Sequence, residues 1–173
     1  KQRAKDFGAA LAYVNMVGGQ DELVFDGDSI LVDQAGTILA RTQQFVEELV
    51  LIDLFEPRPQ ISEPLTDAAE IYGALVLGLR DYINKNGFKS VVIGLSGGID
   101  SALVAAIAVD AMGADRVYGV AMPSKYSSEH SIADAEELAK RTGIHFRKID
   151  IQPMVNEFVK NVGLAGVAEE NVQ

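Results

Sequence analysis

Apolar and polar residues follow different patterns in the two parts of this chain. In residues 1–55, short apolar or alternating runs are separated by turns that contain glycine or aspartate, which is typical of β-strands. We therefore expect this part to consist of strands. The predicted strands are Leu11–Val17, Leu23–Phe25, Ser29–Asp33, Thr37–Arg41 and Phe45–Leu54, with turns at 18–19, 26–28 and 34–36.

The later part of the chain alternates between helical and strand patterns. An apolar stripe of helical period follows Thr66 and ends near Gly87, and Thr66 or Asp67 can cap this helix. Strands separated by helices form a parallel sheet through right-handed crossovers. The pattern predicts the α/β class, with a doubly wound parallel sheet covered on both faces and a β-rich piece before it. The predicted strands lie at 90–95, 116–122 and 144–149, and the helices at 101–112, 129–142 and 151–162.

A proline-rich segment separates these two patterns. Pro57, Pro59 and Pro64 are mixed with charged and polar residues, a composition that interrupts regular structure. We predict three parts: residues 1–55, a linker at 56–65, and a domain that occupies 66–173.

The most informative motif is Ser96-Gly97-Gly98-Ile99-Asp100-Ser101, which joins a predicted strand to a predicted helix. Adjacent glycines let several main-chain N–H groups point at one ligand, and the start of a helix favours an anion. The serine hydroxyls can donate to phosphate oxygens, and Asp100 beside an anion indicates an intervening cation such as Mg²⁺. The alternative is a structural turn in which Asp100 or Ser101 caps the helix.

A second candidate segment, Met122–Ser128, leaves the next strand at the same edge of the predicted sheet. Met122 can lie against an adenine ring, and Lys125 together with the serines of this segment can close over phosphates. The alternative is a polar connection in which Ser127 or Ser128 caps helix 129–142.

Composition narrows the classes of partner. The formal net charge of −10 argues against nucleic acid or an anionic membrane as the main partner. We also expect no membrane span, because no long apolar run is present. The sequence contains no Cys, which excludes a disulfide scaffold or a thiolate metal site within these residues and favours a cytoplasmic location.

The segment Gly94–Ser101 resembles the Ser-Gly-Gly-x-Asp-Ser signature of the N-type ATP pyrophosphatases, or PP-loop enzymes. This family cleaves ATP between the α- and β-phosphates and transfers the adenylyl group to a carboxyl or carbonyl oxygen. The resemblance implies ATP and Mg²⁺ as cofactors, with Asp100 as the metal ligand. The implied ATP-binding residues are Gly94, Leu95, Ser96, Gly97, Gly98, Ile99, Asp100, Ser101, Met122 and Lys125.

Two further stretches narrow the resemblance. Val117–Ser131, followed by Asp134-Ala135, is similar to the synthetase domain of the glutamine-dependent NAD⁺ synthetase family, and Tyr13–Ser29 is similar to the end of its nitrilase-type amidase domain. The family implies amidation of deamido-NAD⁺ through an adenylated intermediate, with ammonia from glutamine and release of AMP and pyrophosphate. It also implies a homo-oligomer.

The same resemblance implies that functional groups lie outside these residues. The amidase Glu, Lys and Cys would precede Lys1, so we expect this segment to hold no catalytic residue and to be inactive alone. Residues 169–173 resemble the start of a segment that continues into substrate-contacting arginines. Two alternatives stay open: another PP-loop enzyme, such as a GMP synthetase, an asparagine synthetase or a tRNA-modifying enzyme, and a nucleotide-binding module without chemistry.

Overall fold

The computed structural model describes residues 1–163, so residues 169–173, singled out above, lie outside the described range. Contacts divide the chain into two compact units, Lys1–Asn86 and Gly87–Gln173. The first unit is mainly antiparallel, whereas the second alternates parallel strands with helices. The predicted α/β class with a parallel sheet is confirmed.

The first unit contains two small sheets. Strands β1 (Leu11–Tyr13), β4 (Ile30–Val32) and β5 (Ile38–Arg41) pair antiparallel in that order. Strands β2 (Val17–Gln20) and β3 (Leu23–Asp26) form a separate antiparallel hairpin. The predicted strands at 23–25, 29–33 and 37–41 are confirmed within one residue.

The prediction of strands throughout residues 1–55 is wrong in three places. Residues Gln2–Phe7 form helix α1. The predicted turn at Gly18-Gly19 lies inside strand β2, so the predicted strand 11–17 is interrupted between Tyr13 and Val17. The predicted strand Phe45–Leu54 has no regular structure: Phe45 has a φ of +62°, which strands do not adopt, and Leu49 is 88% exposed.

The predicted linker is not wholly irregular. Gln60–Ile61 form strand β6, which pairs in parallel with β5 through Ala40 and Arg41. Only these two residues of the segment 56–65 join a sheet.

Helix α2 (Asp67–Lys85) follows, and its predicted cap is confirmed, because the Thr66 side chain accepts a hydrogen bond from Ala69 N–H at 3.4 Å. The helix packs on β2 and β3. A Cβ added at Gly19 would lie 3.1 Å from the Cα atom of Gly78, so the strand approaches the helix main chain closely. The contacts therefore group α2 with the first unit, whereas the sequence pattern places the boundary at 56–65.

The second unit closely follows its predicted order. The predicted elements are confirmed with shifts of one or two residues at their ends. They are strands β7 (Val91–Gly94), β8 (Val117–Ala121) and β9 (His145–Lys148), and helices α3 (Ile99–Met112), α4 (Glu129–Thr142) and α5 (Gln152–Val162). The strands are parallel in the order β7-β8-β9.

The two faces of this sheet differ. Helix α3 packs on β7 and β8, α4 packs on β8 and β9, and both helices bury alanines such as Ala105 and Ala135. The alternate strand positions Val92, Tyr118 and His145 share a register row on the other face and are exposed.

Candidate functional site

The Ser96–Ser101 motif lies at the carboxyl end of β7, as predicted. Leu95 is buried, and its N–H donates to Val120 O at 2.8 Å, which extends the strand pairing to the start of the loop. Gly98 is the N-cap of α3, and the helix begins at Ile99, two residues earlier than predicted. The alternative in which Asp100 or Ser101 caps the helix is therefore wrong.

Gly97 is the position in this loop that requires glycine. Its φ is +80°, in the left-handed region that disfavours residues with a Cβ. A Cβ at Gly97 would also lie 2.2 Å from Ser131 O and 2.6 Å from Ser131 Cα, at the start of α4. At Gly98, by contrast, a Cβ would meet only the Ser96 hydroxyl oxygen at 3.4 Å, which is an ordinary contact.

The two serines of the motif close a small hydrogen-bond network around the loop. Ser96 N–H donates to Ser101 Oγ at 3.3 Å, Ser101 Oγ–H donates to Gly98 O at 3.0 Å, and Gly98 N–H donates to Ser96 Oγ at 3.2 Å. The two hydroxyl oxygens are 3.1 Å apart. An incoming phosphate oxygen can replace some of these internal partners, because a hydroxyl rotates to suit its acceptor.

The start of α3 offers further donors. Glycine at the N-cap brings no side-chain oxygen, and the first helical main-chain bond in this turn is Ala102 N–H to Gly98 O at 3.2 Å. The N–H groups of Ile99, Asp100 and Ser101 precede it and have no acceptor within the helix. Together with the helix dipole, these groups suit an anion at this end.

A cavity of about 340 Å³ lies beside the loop and brings the two predicted segments together. Ser96 from the first segment and Met122 from the second both line it. Met122 Cε would lie 3.5 Å from a Cβ at Gly94, so the methionine sits over the end of β7. Tyr126 and Ser128 of the second predicted segment also line this cavity, as does Ser131, which the sequence did not assign to the site.

The structure also decides the alternative for the second segment. Ser128 is the N-cap of α4, with its Oγ accepting from Ser131 N–H at 3.1 Å, so the capping alternative is confirmed for Ser128. The position of Ser128 just before the helical pattern was the signal for this cap. No comparable signal marks Ser131, because it approaches Gly97 through its main chain.

The predicted ATP-binding residues do not all line this cavity. Leu95, Ser96 and Met122 line it, whereas Gly97, Gly98, Ile99 and Ser101 line a second groove, and Gly94, Asp100 and Lys125 line neither. Asp100 is exposed on the first turn of α3 and does not line the cavity. Lys125 does not line it either; its Nζ lies 5.0 Å from the centre of the Tyr126 ring, and its N–H donates to Gln152 Oε1 at 2.9 Å. ATP binding by any of the predicted residues stays a prediction.

The described residues could bind Mg²⁺ only together with the phosphates of a bound nucleotide. Among residues 1–163, no group of three or more His, Cys, Asp or Glu side chains is arranged to hold a metal ion. Mg²⁺ is commonly bound by one or two carboxylates together with substrate phosphates and water. Asp100, which lies in the Ser96–Ser101 motif on the first turn of α3, fits a site that is completed by the phosphates of a bound nucleotide.

A second groove, of about 370 Å³, lies on the other side of the loop, between α3 and α4. Ile99 and Ala102 contribute apolar surface, while Glu137 and Arg141 contribute charge. Arg141 Nε donates to Glu137 Oε1 at 2.8 Å, and this ion pair lowers the pKa of Glu137 below its usual value.

Fold and site together define an α/β domain whose glycine-rich loop and helix start lie at the carboxyl edge of a parallel sheet, the edge where such domains bind ligands. A family model described as NAD synthase matches residues 71–173. The chain belongs to the NAD synthase family.

Relatives extend the similarity to both units. A glutamine-dependent NAD(+) synthetase from Synechocystis sp. is 44% identical over 182 residues, covering 98% of this chain and 33% of the relative. The structure of glutamine-dependent NAD⁺ synthetase from Acinetobacter baumannii in complex with ADP matches with a TM-score of 0.90 and 42% identity, covering 99% of this chain and 35% of that protein. The chain thus spans about a third of the length of these relatives.

A shorter match provides a contrast. The NH3-dependent NAD synthetase from Campylobacter jejuni, solved with a nitrate ion, is 30% identical with a TM-score of 0.52. It covers 56% of this chain and 42% of that protein. A match of this extent cannot include both compact units in full, whereas the glutamine-dependent relatives match nearly the whole chain.

Proposed function

We propose that this chain forms part of a carbon–nitrogen ligase that converts deamido-NAD⁺ to NAD⁺ with ATP, using ammonia derived from glutamine. The observation that carries the proposal is similarity to glutamine-dependent NAD⁺ synthetases over 98–99% of the chain, including the first unit. The limited match to an NH3-dependent relative supports glutamine as the nitrogen source. ADP in the relative from Acinetobacter baumannii supports ATP as the nucleotide.

The reaction follows from the chemistry of a carboxylate. A carboxylate oxygen of the nicotinate group attacks the α-phosphorus of ATP, the bond to the bridging oxygen breaks, and pyrophosphate leaves. Ammonia then attacks the adenylated carboxyl carbon, and AMP leaves with one of the original carboxylate oxygens. The amide of NAD⁺ remains.

The residues of the loop stabilise the departing pyrophosphate. The amides of Ile99 and Ser101, with the hydroxyls of Ser96 and Ser101, lie around the end of β7 and the start of α3. Donors held in place by a strand and a helix stabilise charge without reorganising during the reaction. Asp100 would hold Mg²⁺, which supplies further neutralisation of phosphate charge when bound.

The cavity of about 340 Å³ beside the loop accommodates the adenylyl part of the nucleotide. Met122 and Tyr126 offer apolar surface to an adenine ring, and Ser96 connects this surface to the phosphate loop. Lys125, which lies near Tyr126, would reach the phosphates by turning away from that ring. The hydrolysis of glutamine requires residues other than these, since the sequence contains no Cys.

We further propose a homo-oligomer that acts in the cytoplasm and binds neither membrane nor nucleic acid. The excess of acidic residues supports the last point. Among the described residues, no helix combines the length and apolar character needed to cross a bilayer.

The test uses the full-length protein with ATP, Mg²⁺, deamido-NAD⁺ labelled with ¹⁸O in the nicotinate carboxylate, and glutamine. We expect NAD⁺, AMP and pyrophosphate in equal amounts, with one ¹⁸O atom in each AMP. ADP and inorganic phosphate as products, or AMP without label, would contradict the adenylation route. NAD⁺ formation from added ammonia but not from glutamine would contradict only the assignment of the nitrogen source.

A further inference from the structure

The phosphate loop is held from three directions, and one of them comes from α4. Leu95 is held by β8 through its N–H bond to Val120 O, and Ala102 is held by the first helical bond of α3. Gly97 lies between these two anchors, against the main chain of Ser131. Its hydrogens occupy the space in which a Cβ would lie 2.2 Å from Ser131 O and 2.7 Å from Ser131 C.

The main chain of Ser131 is in turn held by Ser128. Ser128 Oγ accepts the Ser131 N–H at 3.1 Å, and the two hydroxyl oxygens are 2.8 Å apart. Ser128 O also accepts the Ile132 N–H at 3.4 Å. The Ser128 side chain thus caps the first turn of α4, which lies beside the loop.

We propose that Ser128 is a positioning residue for phosphate binding: by capping α4 it fixes the main chain of Ser131, and this main chain holds Gly97 in the conformation that turns the loop amides toward the phosphates. The inference rests on the proposed function in that it assigns the phosphates of ATP to this loop. The contact is steric and lies between main-chain atoms, so its effect on Gly97 does not depend on the Ser131 side chain.

Four substitutions in the full-length protein, one of them a matched control, separate positioning from other roles. Ser128→Ala removes the capping oxygen, and Ser128→Thr retains it. Ser131→Ala removes a hydroxyl of the same cavity but keeps the N–H and carbonyl groups through which the positioning acts. Thr66→Ala is the matched control, since it removes the same kind of cap from α2 in the other unit.

The readouts are the dissociation constants of ATP and of inorganic pyrophosphate, measured by calorimetry, and the KM for ATP and kcat of pyrophosphate release. For Ser128→Ala we expect roughly a fivefold to tenfold loss of affinity for both ligands, which corresponds to the usual effect of a lost N-cap. The KM for ATP should rise by a larger factor than the one by which kcat falls. Ser128→Thr should restore both affinities, Ser131→Ala should have the smaller effect of the two alanine variants, and Thr66→Ala should leave them unchanged.

The outcomes distinguish the two proposals. Unchanged pyrophosphate affinity in Ser128→Ala would overturn the positioning role, and so would an equal loss in Ser131→Ala, which would instead indicate direct contact of the hydroxyls with the ligand. An equal loss of affinity in Thr66→Ala would show that the effect comes from lower overall stability, and it would also overturn the positioning role. If the unsubstituted protein binds ATP tightly but forms no NAD⁺, the proposed reaction fails while the positioning test still stands.

Discussion

Each unit brings a glycine against the main chain of a helix, but for different purposes. In the first unit, Gly19 of β2 lies against Gly78 of α2, and the contact joins a hairpin to a helix. In the second unit, Gly97 lies against Ser131 at the start of α4, and the contact shapes a loop at the edge of a cavity. Close approach of main chains thus packs a hairpin on a helix in one unit and shapes a loop beside a cavity in the other.

The polar groups beside these glycines differ in the same way. Beside Gly19, Asp81 accepts the Gly19 N–H at 2.8 Å and pairs with Lys85 Nζ at 3.3 Å, while Lys85 also donates to Gly19 O. Beside Gly97, the hydroxyls of Ser96 and Ser101 bond within the loop and can exchange those bonds for a ligand. The carboxylate beside Gly19 is thus already paired with an ammonium group, whereas the helix start beside Gly97 has no side-chain cap and keeps main-chain N–H groups that suit an anion.

The largest expected effect follows from Asp100→Asn in the full-length protein. The side chain keeps its shape and loses its charge, so turnover should fall on the order of 100-fold or more, because metal-ion stabilisation contributes several kcal/mol. The Mg²⁺ concentration for half-maximal rate should rise, and Tm should change little. Pyrophosphate release is measured against Mg²⁺ concentration, with Glu136→Gln as a control acid of the same unit. A near-normal rate at low Mg²⁺ would remove Asp100 from the metal site.

Gly97→Ala should have the next largest effect. The variant combines a disfavoured positive φ with a collision against the Ser131 main chain, which together cost about 3 kcal/mol and predict roughly a hundredfold weaker ATP binding. Calorimetric titration with ATP measures this loss. Gly87→Ala is the matched control, because Gly87 has a φ of +73° and no atom within 4 Å of an added Cβ. Equal losses in both variants would show that the contact with Ser131 contributes nothing.

Gly19→Ala applies the same substitution to the first unit. The added Cβ would lie 3.1 Å from Gly78 Cα, so the hairpin and α2 must separate slightly, at a cost of about 1–3 kcal/mol. Thermal unfolding should show a lower Tm, and titration should show an ATP affinity close to that of the unsubstituted protein. A large loss of ATP affinity without a change in Tm would contradict the division of roles between the two contacts.

Asp81→Asn is the counterpart of Asp100→Asn and should have the smallest effect. Burial raises the pKa of Asp81, but the Gly19 N–H bond and Lys85 outweigh it, so the pKa lies below the ordinary value of 3.8. Ionised Asp81 therefore contributes stability above pH 3.8, which is lost as the pH falls through the lower pKa of the folded protein. At pH 7 we expect a loss of about 1 kcal/mol in the free energy of unfolding.

The pH dependence provides the check on this last variant. The difference in Tm between the unsubstituted protein and Asp81→Asn should be full at pH 6 to 7 and should shrink below about pH 4. Asp21→Asn, at an exposed turn position, is the control. A Tm difference that grows as the pH falls would reverse the assigned direction of the pKa shift.

The second unit was predicted from sequence far better than the first. Helix α4 has the predicted bounds, and β7, β8 and β9 lie within the predicted strands, because each βαβ segment carries its own periodicity and turn signals. In the first unit, Gly18-Gly19 is typical of a turn, yet these residues lie in β2, where the absence of a Cβ at Gly19 admits α2. That reason depends on residue 78, about sixty positions later, and no local pattern contains it.

The glycine-rich loop and its place between a strand and a helix could be predicted from the sequence, since its glycines, its serines and the start of the helix are contiguous and their conformational preferences are local. Tertiary structure alone decided which residues share the cavity and why Gly97 must be glycine. Ser131, Met122 and Ser96 meet because parallel strands end at one edge, and Ser131 touches the loop with main-chain atoms that every residue type possesses. Because such a contact does not depend on the side chain, it cannot be predicted from the type of residue that makes it.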